Sequence, residues 1–91
     1  MKEYVMIIDP FIMDQQIYEI IDGQLKVVTA FQLTKIESYK EIFELLNQAK
    51  DENIVINLKC PKAFSDKIKD TIYAYANKLN FEQNKIVIKD I

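Results

Sequence analysis

The only glycine in the chain marks the point at which the backbone is most constrained. Gly23 follows Asp22, and the pair separates two runs rich in β-branched and apolar residues, 17–21 and 25–31. Both residues tolerate the positive φ that the centre of a type I′ turn requires, and the twist of that turn matches the strands it joins. The stretch therefore predicts a tight β-hairpin. Its expected cross-strand pairs are Ile21 with Gln24, Ile20 with Leu25, and Tyr18 with Val27.

Three other segments have the composition of β-strands. Residues 4–8 and 54–58 are almost continuously apolar, which is typical of strands that are covered on both faces and lie inside a sheet. The first of them ends at Asp9 and Pro10, because proline has no amide hydrogen to give to a sheet ladder. A last strand is predicted at residues 85–89.

Two segments carry apolar residues at every third or fourth position, which is the pattern of an amphipathic helix. The first predicted helix begins near Lys35 or Tyr39 and ends at about Lys50. Its apolar stripe comprises Ile36, Tyr39, Ile42, Phe43, Leu46 and Ala49. The stripe of the second helix comprises Phe64, Ile68, Ile72, Tyr75 and Leu79.

The order of these elements, β-β-β-α-β-α-β, restricts the topology. We expect the first three strands to form an antiparallel meander, and the β-α-β unit at the end to make a right-handed parallel crossover. Because the apolar strands at 4–8 and 54–58 belong inside the sheet, the simplest strand order is 3-2-1-4-5. The sequence therefore predicts a single α/β domain over residues 1–91, with one mixed five-stranded sheet and two helices.

The element order and the motif MIIDP, residues 6–10, resemble the ribonuclease H-like fold. That fold is shared by Holliday-junction resolvases of the RuvC type and by the subdomains of actin-like ATPases. The resemblance implies that Asp9 is a catalytic or phosphate-facing carboxylate at the end of the first strand. Such families usually have glycine after this residue and, in catalytic members, a second carboxylate after the fourth strand. In this chain Pro10 and Phe11 follow Asp9 instead of glycine, and the end of the fourth strand reads NLKCPK, which contains no carboxylate. The resemblance therefore implies the fold without its active site.

The charged residues disfavour several classes of function. All twelve basic residues are lysine, histidine is absent and the net charge is −2. Arginine is the usual side chain for bidentate contacts to guanine and phosphate, and this charge balance gives no broad positive field. Nucleic acid is therefore not an expected partner. Without histidine, a Ser-His-Asp or Cys-His site cannot form within the chain, and no cofactor is predicted.

Cysteine usage and hydropathy indicate the compartment. Cys60 is the only cysteine, so neither an intrachain disulfide nor a multi-cysteine zinc site can form. Small secreted domains usually depend on disulfides, and we therefore expect a cytoplasmic protein. No apolar run reaches the length of a membrane span, so a membrane is not an expected partner. Cys60 is interpreted as a small, partly buried thiol.

Asp9 is the one candidate metal ligand. It follows a central strand, at the edge where open α/β sheets bind ligands. Two-metal nuclease chemistry requires several converging carboxylates, and only Asp9 is placed there by the sequence. The simpler interpretation, which we favour, is that Asp9 and Pro10 end a strand.

Several apolar side chains exceed what one small core needs. Phe11, Ile12 and Met13 stand together in a connection, where they either pack on the core or meet a partner. Tyr18 in the hairpin and Tyr73 beside the stripe of the second helix are further interface candidates.

The combination predicts a small non-catalytic cytoplasmic interaction or regulatory protein that acts through protein–protein contacts and self-associates, for example as a homodimer. The alternative is a minimal ribonuclease H-like metal-dependent nuclease or nucleotide-binding protein that uses Asp9. Because histidine and arginine are absent, the sequence favours the interaction protein over the enzyme.

Overall fold

A computed structural model describes residues 1–33, 39–82 and 85–91. Within these ranges the strands are β1 (Lys2–Ile7), β2 (Asp14–Ile21), β3 (Gln24–Gln32), β4 (Ile54–Lys59) and β5 (Ile86–Asp90). The helices are α1 (Lys40–Gln48) and α2 (Lys62–Lys78). The predicted helix start near Lys35 lies outside the described residues, whereas the start near Tyr39 is confirmed because Tyr39 is the N-cap of α1.

The five strands form one mixed sheet in the order β3-β2-β1-β4-β5, as the sequence predicts. β1, β2 and β3 are antiparallel neighbours, while β4 lies parallel to both β1 and β5. In the hairpin, Asp22 and Gly23 have φ of 53° and 77°, and the three expected cross-strand pairs are all present. The turn therefore sets the register of the β2–β3 pairing from Ile21 and Gln24 as far as Tyr18 and Val27.

One hydrophobic core lies between the sheet and the two helices, which pack against each other on the same face of the sheet. The strands contribute Tyr4, Met6, Ile17, Phe31, Ile54, Ile56, Leu58 and Ile86, and Ile8 adds to them directly after β1. The connection and helices contribute Tyr39, Ile42, Leu45, Leu46, Ala49, Ile68, Ile72 and Ala76. The rings of Phe31 and Tyr39 meet edge to face with centroids 5.5 Å apart, which fixes the start of α1 over the end of β3.

The opposite face of the sheet is not covered by either helix. We call this surface the open face. Its residues are Leu25, Val27 and Ala30 on β3; Gln16, Tyr18 and Ile20 on β2; Glu3, Val5 and Ile7 on β1; Val55, Asn57 and Lys59 on β4; and Val87 and Lys89 on β5. The inner position of β1 and β4 is confirmed, but the expectation that both of their faces are covered is wrong. Ile7, for example, is 40% exposed.

An irregularity in the β2–β3 pairing interrupts the open face. Ile17 pairs with Thr29 and Tyr18 pairs with Val27, so that Val28 is an extra residue in β3. Such a bulge increases the local twist of an edge strand. Within the described ranges, neither helix is both long and apolar enough to cross a membrane.

Candidate functional site

The connection between β1 and β2 presents apolar side chains to solvent. We call residues 9–13 the apolar tip. Phe11 is 94% exposed, Ile12 51% and Met13 76%. Of the two placements that the sequence left open, packing on the core is therefore excluded. An interface role for these residues remains a prediction.

The backbone of the apolar tip is held by the side chain of Gln15, which is completely buried in β2. The Gln15 Nε2 atom donates hydrogen bonds to the carbonyl oxygens of Asp9 at 2.8 Å and Ile12 at 3.0 Å. Its Oε1 atom accepts one from the Asp9 amide at 2.8 Å. An amide side chain has both donors and acceptors and can satisfy this set of main-chain groups at once.

Asp9 adds two hydrogen bonds to the same turn. Its Oδ1 atom accepts one from the Phe11 amide at 2.9 Å, and its carbonyl oxygen accepts one from the Ile12 amide at 3.2 Å. The first contact is an Asx turn, in which a short carboxylate satisfies the backbone two residues later. The exposed Phe11 side chain therefore projects from a backbone that is already ordered.

Asp9 stands apart from other potential metal ligands. Among the residues that the structure describes, no group of three or more His, Cys, Asp or Glu side chains is arranged to hold a metal ion. Apart from Asp9, the polar residues that line the groove at this edge of the sheet are Lys59 and Cys60. The geometry thus gives Asp9 a structural role in the turn. Within the described ranges, Asp9 has no neighbouring group of ligands that would complete a metal site.

A shallow groove of about 500 Å³ runs beside the apolar tip, at the carboxyl ends of β1 and β4. Its apolar walls are formed by Ile7, Ile8, Pro10, Phe11, Pro61 and Ile91. Ile7 belongs both to this groove and to the open face, so the two exposed apolar surfaces are continuous.

Cys60 lies in the wall of this groove and is partly buried. Its Sγ atom is 3.4 Å from the carbonyl oxygen of Pro61, to which it donates a hydrogen bond. Burial raises the pKa of the Cys60 thiol, and the nearby negative charge of Asp90 raises it further, although Lys69 opposes them. A raised pKa keeps the sulfur neutral and unreactive, which agrees with the interpretation of Cys60 as a structural thiol.

The two tyrosine candidates lie on different surfaces. Tyr18 is half-buried on the open face, and its hydroxyl donates a hydrogen bond to Gln16 Oε1 at 2.8 Å. Tyr73 on α2 is 44% exposed and lines a separate groove of about 460 Å³ with Phe81 and Ile86. The five predicted interface residues therefore do not form one patch.

A cleft of about 220 Å³ lies between α1 and the first three strands, and its lining includes the three glutamates Glu19, Glu41 and Glu44. The Lys2 Nζ atom lies 3.8 Å from Glu19 Oε2 and 4.0 Å from Glu52 Oε2. The positive charge of Lys2 therefore offsets part of the negative charge of the glutamates. Burial raises the pKa of Tyr4 to about 12, with Glu19 and Glu52 adding to the shift. Tyr4 is therefore neutral near pH 7, beside the ion pair of Lys2 with Glu19. Its burial follows from the packing of the sheet against α1, and no separate function is needed to explain it.

Comparison with known proteins adds no identification: no protein-family model, curated protein or solved structure matches the chain. The likeness to the ribonuclease H-like fold therefore rests on the element order and the MIIDP motif alone.

Proposed function

We propose that this chain is a small non-catalytic cytoplasmic protein that works by binding another protein through its apolar tip. The observation that carries the proposal is the exposure of Phe11 on a backbone that Gln15 and Asp9 already hold in place. Aromatic anchors of this kind supply much of the energy of protein interfaces.

Both the exposed side chains and the ordered backbone of the apolar tip favour binding. Covering a Phe side chain with apolar partner surface contributes about 1.5–3 kcal/mol. Ordering a free loop on binding has an entropic cost, and a loop that is rigid beforehand avoids most of it. The exposed side chains of Phe11 and Met13 offer the apolar surface that a partner would cover. The hydrogen bonds of Gln15 and Asp9 already order the loop, so that little entropy is lost on binding.

The composition supports a binding role over a catalytic one. The chain contains neither histidine nor arginine, which removes the usual general base near neutral pH and the usual phosphate clamp. The cytoplasmic location is proposed because the single cysteine is a free thiol rather than half of a disulfide.

Capture from a cytoplasmic extract tests the proposal. The immobilised wild-type chain is compared with Phe11→Ser and with Ile21→Thr, which changes another exposed apolar residue at the far end of β2, about 24 Å away along the strand. We expect specific proteins to be retained by the wild type and by Ile21→Thr, and to fall about tenfold or more with Phe11→Ser. Equal retention by Phe11→Ser, or none by the wild type, would contradict the proposal.

A further inference from the structure

The last strand, β5, has a strand on one side only. It stands at the end of the strand order, and its single neighbour is β4. The Ile91 amide donates to the carbonyl oxygen of Leu58 at 3.0 Å. Because every second residue of a strand bonds to the same neighbour, the main-chain groups of Val87 and Lys89 also face β4. The N–H and C=O groups that point the other way, which we call the free edge, belong to Ile86, Ile88 and Asp90.

The free edge is regular and unpaired. Among the residues that the structure describes, none forms a hydrogen bond to its main-chain groups. β5 pairs with β4 over five residues without a register shift, whereas the opposite edge of the sheet, β3, is interrupted by the bulge at Val28. Alternating main-chain donors and acceptors in a straight row are satisfied by one kind of partner, which is another extended backbone.

The helix side of β5 is apolar beside the free edge. Ile86 and Ile88 face this side, and the Asp90 carboxylate is already bonded to Lys69 and Ser65 of α2. A groove of about 460 Å³ lies here, between α2 and the start of β5. An added strand would place a side chain next to Ile86 on this side, so an apolar residue fits. The groove is lined by the apolar residues Tyr73, Ala76, Phe81 and Ile86 and by the polar residues Asn77 and Glu82.

The open face beside the free edge is positively charged. Lys89 on β5 and Lys59 on the neighbouring strand are both exposed. Within the described ranges, neither lysine forms an ion pair, and no acidic side chain lies on the open face of β4 or β5. Side chains of opposite charge on adjacent strands attract each other, so an added strand is best matched here by acidic residues.

From these three features we propose that the free edge of β5 binds an extended segment of another protein, in which apolar and acidic residues alternate. The segment runs antiparallel to β5, because antiparallel pairs are the more stable. Its apolar side chains lie toward α2 and its acidic side chains lie beside Lys89. This surface is separate from the apolar tip, so the proposal goes beyond the binding function proposed for the tip and does not depend on it.

A synthetic peptide of sequence TIEIEIT, capped at both ends, is the probe. With its central isoleucine opposite Ile88, its glutamates lie opposite Val87 and Lys89. Two N-methylated forms make a matched pair. Methylation of the central isoleucine removes an N–H that points at β5, whereas methylation of the next glutamate removes one that points away. Fluorescence anisotropy of the labelled peptide should show saturable binding below about 1 mM, which the first methylation weakens about tenfold or more and the second changes much less.

A charge exchange tests the side chains. Lys89→Glu should weaken the binding of TIEIEIT about tenfold and strengthen that of TIKIKIT, in which lysine replaces both glutamates. The control is Lys50→Glu, which changes the net charge by the same amount at an exposed position after α1. It should change binding by no more than about twofold, because distant surface charges are screened. Circular dichroism checks that each variant is folded.

Amide hydrogen exchange identifies the edge directly. In the free chain the amides of Ile88 and Asp90 should exchange faster than those of Val87 and Lys89, which are bonded to β4. Addition of TIEIEIT should slow exchange at Ile88 and Asp90, because their N–H groups then donate to the peptide. A ligand that occupied only the groove beside α2 would leave these two amides unprotected and overturn the proposal.

Four other results would contradict strand addition at β5. They are the absence of saturable binding, equal weakening by the two N-methylated forms, protection of Ile88 and Asp90 in a dimer without peptide, and loss of peptide binding in Phe11→Ser. The dimer would show that a second copy occupies the free edge. The loss in Phe11→Ser would place the peptide on the apolar tip and leave the function proposed for the tip intact. Conversely, peptide binding that Phe11→Ser leaves unchanged supports the free edge even if capture by the apolar tip fails.

Discussion

The side-chain amide of Gln15 is hydrogen-bonded to both main-chain groups of Asp9, with its Oε1 atom accepting from the amide and its Nε2 atom donating to the carbonyl, each at 2.8 Å. This pair joins the end of β1 to the start of β2. Gln15 is completely buried at a position of β2 whose alternation with Ile17 points it toward the core. A polar residue occupies that position because main-chain groups of the apolar tip would otherwise lack partners.

Replacement of Gln15 by leucine keeps the volume but removes three hydrogen bonds. We expect the free energy of unfolding to fall by about 1–3 kcal/mol, because partly buried main-chain groups of Asp9 and Ile12 lose their partners. Urea denaturation measures the loss, and hydrogen exchange at residues 9–12 should become faster. The control is Gln16→Leu on the exposed side of the strand, for which a change within about 0.5 kcal/mol is expected. Equal losses in the two variants would show that the bonds of Gln15 do not hold the tip.

Substitutions at Asp9 separate the structural role from metal binding. Asp9→Ala removes the acceptor of the Phe11 amide and should cost about 0.5–1.5 kcal/mol in the free energy of unfolding, whereas Asp9→Asn retains an acceptor oxygen and should cost less. Titration calorimetry with magnesium chloride should show no binding heat for either the wild type or Asp9→Asn. Magnesium binding to the wild type that Asp9→Asn abolishes would instead support the ribonuclease H-like alternative.

The thiol of Cys60 should react slowly. Because burial and Asp90 raise its pKa, the folded protein holds a smaller fraction of thiolate at any given pH than an exposed cysteine does. Iodoacetamide alkylation, followed by mass spectrometry across a pH series, should give a midpoint above that of the same protein unfolded in urea. A midpoint below that of the unfolded chain would indicate an activated thiol and reopen a catalytic interpretation.

Asp90 ties the end of β5 to α2. Its carboxylate accepts hydrogen bonds from Lys69 Nζ and Ser65 Oγ, and the bond from Lys69 is the main reason that the pKa of Asp90 is lowered from 3.8. A lowered pKa contributes stability that is present above pH 3.8 and is lost as the pH falls through the folded-state value. The melting temperature of the wild type should therefore exceed that of Asp90→Asn at pH 6, and the difference should disappear in strong acid.

The exposed α2 variant Asp70→Asn is the control for that experiment, because it removes a carboxylate from the same helix without touching the contact of Lys69 with Asp90. Its difference from the wild type should change much less between pH 6 and strong acid. If Asp90→Asn and Asp70→Asn behave alike across the series, the pairing with Lys69 does not contribute to stability.

Local sequence patterns predicted the elements and their order in the sheet. Asp22 and Gly23 adopt the positive φ that the turn needs, because few other residue pairs accept it, and the hairpin register follows from them. The apolar runs placed β1 and β4 inside the sheet, because inner strands favour β-branched residues at every position. Those same runs wrongly suggested cover on both faces, since apolar residues on an uncovered face have the same composition as buried ones.

The candidate site was found only in part. The sequence singled out Phe11, Ile12 and Met13, but it could not decide between core and surface, because an apolar run in a connection satisfies either placement. Gln15 was overlooked altogether. A glutamine at an inward position of a strand is the signal that could have revealed it, and that signal becomes visible only when the register of β2 is known.

The sequence by itself determined the hairpin, the two amphipathic helices and the strand order, because each depends on the conformational preferences and periodicity of neighbouring residues. Only the tertiary structure decided that both helices lie on one side of the sheet, that the other side is open, and that Gln15 holds the apolar tip outward. Those features depend on contacts between segments that are distant along the chain, and no local pattern encodes which face such a contact will cover.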